Sequence, residues 1–195
     1  MDFKFRILFL VVSNLIGWCA TQAPPAAEEP EYVLNFASPV FVCPDEDSMS
    51  WVDTSDIELQ QYNETIATMS GIVRFLKGME HSTMVIVEIQ KETPGNRYEM
   101  VVTHEICDLC AEISDKEGNY KEYLQYFGFP DNCPFEPGDY KINELIADTS
   151  ELPVKKSNEG KYQITITMFT DEAGACKDGV FLACMKLDIA IEEAY

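Results

Sequence analysis

The sequence predicts an all-β protein, an antiparallel sandwich with one short helical segment, stapled by disulfides. Apolar and polar residues alternate with a period of two through most of the chain after residue 31, which is the pattern of strands with one buried face. Six cysteines follow a signal-like N-terminal segment, as in disulfide-linked secreted domains. One stretch, at about residues 108–127, looks helical instead, although its apolar residues are irregularly spaced. Such alternation fits two sheets that close over an interior.

The first 19 residues have the composition of a signal peptide. Lys4 and Arg6 precede an apolar run, residues 7–12, that is too short to span a bilayer. Small residues close to positions 19 and 20 provide a cleavage point. We therefore expect residues 1–19 to be removed and the protein to be secreted into an extracellular fluid.

The remaining chain is expected to form one domain. Residues 20–31 are rich in proline, alanine and glutamate and predict a flexible N-terminal segment, whereas residues 32–195 contain no linker and no repeat. The net charge is −20, and it becomes −21 when one acidic and two basic residues leave with the signal. This acidity argues against nucleic acid as a partner and against more than weak contact with anionic membranes.

The strands follow from the alternation, in chain order. They are predicted at about 32–41, 57–62, 65–76, 83–92, 96–106, from Gly138 onward, 161–169 and 180–193. The turn Thr93-Pro94-Gly95-Asn96 predicts that the two strands around it form a hairpin.

The apolar faces of these strands are the candidate lining of a ligand cavity. Val85, Val87 and Ile89 share one face of their strand, and the last two strands carry stripes of the same period. Several strand residues are methionines, whose flexible thioether side chains suit an interior that accepts varied apolar guests. The candidate cavity residues are Val85, Val87, Ile89, Met100, Val102, Phe135, Tyr162, Ile164, Ile166, Met168, Phe181, Met185, Leu187 and Ile189.

The cysteines predict covalent cross-links. Those that remain after the signal peptide are Cys43, Cys107, Cys110, Cys133, Cys176 and Cys184. An even number in a secreted chain predicts three disulfides, with fifteen possible connectivities. The sequon Asn63-Glu64-Thr65 makes Asn63 a candidate glycosylation site at a surface turn.

Residues for catalysis are not apparent, so we expect a protein that is not an enzyme and has no metal or cofactor. The two histidines, His81 and His104, lie in no metal-ligand spacing, and no serine lies in a nucleophile-elbow motif. The many carboxylates are expected to be a solvated surface. Cys107-Asp-Leu-Cys110 is a redox motif only when it opens a helix in a β-α-β unit. Here it follows a strand, which favours structural disulfides to distant partners.

A series of short motifs, in order and spacing, gives a resemblance to a known family. The series is Val87-Glu88-Ile89-Gln90-Lys91-Glu92, Cys110, Phe127-Gly128-Phe129-Pro130, Cys133-Pro134-Phe135, Gly138-Asp139-Tyr140, Leu152-Pro153, Gly160-Lys161-Tyr162-Gln163-Ile164 and Leu182-Ala183-Cys184-Met185-Lys186-Leu187. From about Glu64 to Asp188 the chain resembles the ganglioside activator family of ML-type lipid-recognition proteins. It is also similar to the related insect chemosensory CheB proteins.

The resemblance implies a β-cup, an antiparallel sheet closed around a large apolar pocket that takes up a lipid chain. It implies that Cys43 pairs with Cys184 and that Cys110 pairs with Cys133. Cys107 and Cys176 then remain, and the family pattern gives no clean counterpart for a bridge between them.

The Cys-Pro-Phe corner is expected to be a fixed point of this cup. Cys133 would anchor it, Pro134 would end the irregular segment because it has no N–H to donate, and Phe135 would point inward. The Pro137-Gly138 turn would then lead into a strand that lines the cup.

One departure from the family bears on function. After Leu152-Pro153 the activator carries an apolar, tryptophan-bearing loop for membranes, whereas this chain has Val154-Lys155-Lys156-Ser157-Asn158-Glu159. Charged residues in place of an aromatic anchor weaken membrane docking. A carrier or sensory ligand-binding role is therefore expected ahead of activation of a glycolipid hydrolase.

The leading hypothesis is a secreted, non-enzymatic binding protein for a small lipid or hydrocarbon-like ligand, in chemosensory (pheromone or gustatory) perception. A second is an extracellular protein-interaction module that modulates a receptor or channel, using the acidity of the chain and the charged loop 171–178. A glycolipid-hydrolase activator and a C-x-x-C oxidoreductase are the remaining alternatives.

Overall fold

Two antiparallel sheets make up most of the structure, a computed structural model that describes residues 31–63, 65–79, 83–115, 117–118, 125–131, 133–148, 154–170, 176–177 and 179–194. These residues belong to one compact unit, Glu31–Tyr195. The predicted signal peptide, nearly all of the predicted flexible segment, His81 and Leu152-Pro153 lie outside the described residues. Within the described residues, no helix is long and apolar enough to cross a membrane.

The elements of the described residues are nine strands and three short helices. The strands are β1 (Tyr32–Phe36), β2 (Phe41–Val42), β3 (Val52–Gln61), β4 (Ile66–Phe75), β5 (Thr83–Thr93), β6 (Arg97–Ile106), β7 (Gly138–Asp148), β8 (Gly160–Thr170) and β9 (Phe181–Glu193). The helices are α1 (Glu46–Trp51), α2 (Leu109–Ser114) and one 3-10 turn, Lys156–Asn158.

The strands form a large sheet and a small sheet. The large sheet has the order β1-β9-β8-β5-β6, with β2 also paired to β9, and the small sheet has the order β3-β4-β7. Every strand pair is antiparallel. The predicted hairpin is confirmed, since β5 pairs with β6 around a turn in which Gly95 and Asn96 have φ of 89° and 54°. Glycine and asparagine are the residues that best tolerate this left-handed region.

The two sheets share one hydrophobic core. The small sheet contributes buried side chains such as Val52 and Phe75, and the large sheet contributes Val85, Met168 and Ala183. The predicted two-sheet, disulfide-linked all-β fold is therefore confirmed. This shared core lies at the end of the large sheet where β5 begins and β8 ends.

The Cys-Pro-Phe corner closes one side of this core. Phe135 is 1% exposed, and its backbone exchanges two hydrogen bonds of 2.9 Å with that of Met79. Its ring stacks on Phe129 at 5.4 Å and lies 5.8 Å from Tyr140. The peptide bond between Cys133 and Pro134 is cis. Phe135 points inward, as expected, and packs into solid core.

Helix α1 is positioned by one buried hydroxyl. Ser48 is 0% exposed; its Oγ accepts the N–H of Cys184 at 2.9 Å and donates to Asp45 Oδ2 at 2.8 Å. Asp45 also caps the helix, because its Oδ1 accepts the N–H of Ser48 at 2.7 Å. These bonds hold α1 against β9, beside the Cys43–Cys184 disulfide.

The disulfides connect distant parts of the chain. Cys43 is bonded to Cys184, Cys110 to Cys133 and Cys107 to Cys176. The first two are the pairs that the resemblance implies, and the third joins the remaining cysteines. The longest loop, of 141 residues, ties the segment before α1 to β9. Loop-closure entropy gives each such bond a stabilisation of about 3–5 kcal/mol.

Helix α2 lies in the first part of the stretch predicted at about 108–127, of which residues 116 and 119–124 are outside the described residues. At the end of this stretch, Phe127 forms a bridge with Ile142 of β7 and stacks on Phe129 with ring centroids 5.2 Å apart. Helix α1 was not predicted, because six residues carry too little periodicity for detection.

Candidate functional site

The inner face of the large sheet carries four rows of aligned side chains, which we call rungs. Strand register defines them, because directly paired residues lie on the same face. Rung 1 is Ile106, Val85, Met168 and Ala183; rung 2 is His104, Val87, Ile166 and Met185; rung 3 is Val102, Ile89, Ile164 and Leu187; rung 4 is Glu99, Lys91, Tyr162 and Ile189. Eleven of the fourteen candidate cavity residues lie on these rungs, so the structure brings most of the predicted set together.

Burial falls from rung 1 toward rung 3. Val85, Met168 and Ala183 of rung 1 are buried in the core, and Val87, Ile166 and Met185 of rung 2 are half-buried and pack against it. Rung 3 does not belong to that core. Its members Ile89, Ile164 and Leu187 are half-buried, and Val102 is 48% exposed. A row of four large apolar residues thus lies outside the core cluster, between the buried side chains of rung 1 and the buried Ile189 of rung 4.

Two register shifts move predicted cavity residues to the other face. Between Ile89 and Gln90 the pairing partner on β6 jumps from Val102 to Met100. Adjacent strand residues face opposite ways, so Met100 lies with Gln90 on the outer face. The expectation that Met100 lines the inner face is therefore wrong.

Phe181 is displaced in the same way. Met168 pairs with Ala183, but Phe169 pairs with Phe181, so one extra residue, Leu182, is inserted in β9. Phe181 then faces outward with Phe169, whose ring lies 5.9 Å away in an edge-to-face contact. Leu182 packs against the core in its place. Strict alternation did not predict that Leu182 faces inward, because the position of a bulge cannot be recognised from the hydrophobic pattern of one strand.

The remaining candidate, Phe135, lies off the rungs. It belongs to the same core cluster as rung 1 and is packed among aromatic rings. It therefore supports the closed end of the face and is remote from rung 3.

Rung 4 differs from the others because it contains a cation. Lys91 continues the series Val85, Val87, Ile89 along β5 and pairs with Tyr162. Its Nζ lies 5.3 Å from the centre of the Tyr162 ring, within the range of a cation–π contact. Sequence reasoning missed Lys91, although its i+2 spacing from Ile89 was the available signal.

The outer face of the large sheet is polar where the inner face is apolar. Lys186 Nζ donates to Gln163 Oε1 at 2.8 Å, and Gln163 Nε2 donates to Asp188 Oδ1 at 2.9 Å. Burial, together with the charges of Glu92 and Asp188, raises the pKa of Tyr98 on this face.

The outer face of the small sheet carries an ion-pair cluster. Arg74 contacts Asp139 at 2.6 Å, Asp53 at 3.1 Å and Asp56 at 3.3 Å. Hydrogen bonds to Asp139 and the three negative charges raise the pKa of Arg74. The pKa of Asp53 is lowered by hydrogen bonds from Ser55 and further by Arg74. The cluster joins three strands, β3, β4 and β7.

The other predicted chemistry resolves into structural roles. Cys107 and Cys110 are bonded to two different, distant cysteines, so the C-x-x-C oxidoreductase alternative is wrong. Within the described residues no cluster of histidine, cysteine, aspartate and glutamate could hold a metal ion. Lys155 and Lys156, in the segment that departs from the activator family, are exposed.

The predicted sequon lies in an exposed turn between β3 and β4. Asn63 is exposed, and its Oδ1 accepts the N–H groups of Thr65 at 2.9 Å and of Ile66 at 2.7 Å. This geometry leaves the amide nitrogen, the atom that a glycan would modify, directed away from the turn.

Comparison with protein-family models finds no match to this chain, and comparison with curated proteins finds no significant match.

Proposed function

We propose that the protein is a secreted, non-enzymatic carrier that binds a small lipid or hydrocarbon-like ligand against rung 3 of the inner face. The observation that carries the proposal is the burial gradient along the rungs. Ile89, Ile164 and Leu187 remain half-buried although they lie on the same face as a fully buried core. Contiguous apolar side chains that remain partly accessible to solvent are typical of a binding site for an apolar ligand.

Three disulfides support both secretion and an incompletely filled interior. Disulfides persist in oxidising compartments such as the secretory pathway. Unfilled volume in a protein interior lowers the free energy of unfolding by about 24 cal/mol per Å³. Cross-links that each supply about 3–5 kcal/mol can offset a loss of that kind. The chemosensory role rests on the family resemblance alone.

The direct test is to identify what copurifies with the folded protein. The protein should be secreted from a eukaryotic host, extracted with organic solvent and assayed by mass spectrometry. We expect an apolar molecule in near-stoichiometric amount, and we expect displacement of N-phenyl-1-naphthylamine, an uncharged dye that fluoresces in apolar sites. An empty extract together with no dye binding would contradict the carrier function.

A second candidate function, a protein-interaction module, is favoured by the edge of the large sheet. β6 is the terminal strand, and Tyr98, Met100, Val101 and Val102 are each about half exposed. An exposed apolar edge can accept a strand from another protein. A receptor complex that forms equally well when the inner face is occupied by dye would favour this function over carriage.

A further inference from the structure

We infer that the ligand is a single-chain carboxylate, a fatty-acid-like molecule whose head group binds Lys91 while its chain lies on rung 3. The inference rests on the proposed carrier function and assigns the head-group chemistry of the same site. No sequence motif or comparison indicated this role for Lys91.

The position of Lys91 is the first step. Lys91 of β5 pairs with Tyr162 of β8 and with Glu99 of β6. It lies two residues after Ile89, so both side chains are on the inner face. Rung 4 is the row next to rung 3, so a head group at Lys91 lies beside a chain that rests on Ile89. The Lys91 side chain lies against Gly160. If residue 160 had a β-carbon, that atom would lie 2.8 Å from Lys91 Cε. Glycine at this position leaves room for the lysine stem.

The charge state of Lys91 is the second step. The chain has 34 acidic and 14 basic residues, so most cations have carboxylates available. In the part of the chain that the structure describes, Arg74 forms three ion pairs with carboxylates, and none of the three includes Lys91. Its contact is with the Tyr162 ring. A half-buried ammonium that faces a ring and has no carboxylate partner retains donors for an anion.

The neighbouring acids select the kind of anion. Glu99, the partner of Lys91 on β6, is exposed and forms no ion pair with it. Glu159 directly precedes Gly160, and burial together with the charge of Glu159 raises the pKa of Tyr32. These carboxylates repel a ligand with two negative charges more strongly than a ligand with one, so a phosphate dianion is disfavoured relative to a monoanion. A carboxylate head group therefore fits the site best.

The experiment compares three probes of equal chain length, tetradecanoate, tetradecan-1-ol and tetradecyl phosphate, as competitors of the uncharged dye. For the wild type we expect tetradecanoate to bind about tenfold more tightly than the alcohol. Lys91→Met should abolish that preference and leave the affinity for the alcohol unchanged. Lys91→Arg should restore most of the preference, and Glu99→Gln should increase it.

Lys161→Met is the matched control, because Lys161 is exposed on the outer face of β8 and pairs with Ala190. It removes the same charge from the protein without touching the inner face. Three results would overturn the assignment of Lys91 and leave the carrier function standing. They are equal binding of tetradecanoate and tetradecan-1-ol by the wild type, loss of the tetradecanoate preference in Lys161→Met as large as in Lys91→Met, and tighter binding of tetradecyl phosphate than of tetradecanoate. Failure of dye and all probes to bind would overturn both.

Discussion

At the scale of single residues, Ser48 illustrates how one buried hydroxyl fixes an element. It accepts the N–H of Cys184 and donates to Asp45. Ser48→Ala leaves both groups without their partner, which should lower the free energy of unfolding by about 1–3 kcal/mol. Urea unfolding measures the change. Ser50→Ala is the control, since Ser50 lies on the same helix but its hydroxyl contacts the exposed Lys77, and it should change stability by less than about 0.5 kcal/mol.

Asp45 makes the same contact sensitive to acid. Hydrogen bonds from the backbone N–H and the hydroxyl of Ser48 lower the pKa of Asp45 in the folded protein. Because the pKa of Asp45 is lower in the folded protein than its unfolded value of 3.8, the ionised carboxylate stabilises the fold at pH above 3.8. This stabilisation is lost as the pH falls through the folded-state pKa. We expect Asp45→Asn to reduce stability at pH 7 and to flatten the fall in stability below about pH 4. Urea midpoints at several pH values check this, and parallel curves for the two proteins would contradict it.

At the scale of elements, the bulge in β6 makes a prediction that differs from that of alternation alone, which places Met100 and Val102 on the same face. Met100 and Val102 are 49% and 48% exposed, so aspartate at either position should cost similar stability. Val102 lies on rung 3 and Met100 lies on the outer face. We therefore expect Val102→Asp to weaken dye binding at least about tenfold, because it places a charge beside the apolar guest. Met100→Asp should leave dye affinity within about twofold of the wild type.

Most elements could be predicted from the sequence because strands of ten or more residues repeat their alternation several times. The last two strands and the β5–β6 hairpin lie where the pattern places them. The misplaced residues, Met100 and Phe181, each directly precede a single inserted residue, which places the side chains before it on the opposite face from the one that alternation predicts. Such an insertion is fixed by pairing with the neighbouring strand, so no single strand's sequence reveals it.

At the scale of the whole molecule, the Cys43–Cys184 disulfide and the core cluster lie beside rung 1, whereas rung 3 lies outside that cluster. Cys184 and Ala183 are adjacent in β9, beside α1 and rung 1. The sequence predicted which side chains face inward, but it could not predict how far burial extends along the strands. That depends on how the small sheet covers the large one, and the covering residues, Val52 and Phe75 among them, come from a part of the chain with weaker alternation.

The central claim is that rung 3 is a binding surface for an apolar guest. The most direct measurement is the dissociation constant of N-phenyl-1-naphthylamine for Ile164→Trp, compared with the wild type and with Thr103→Trp. Thr103 is exposed on the outer face and pairs with Glu88, so it serves as the matched control. We predict that an indole at position 164 fills the guest's place and weakens binding at least about tenfold, whereas the control binds like the wild type. A wild type that does not bind the dye, or two variants that bind it equally, would contradict the account.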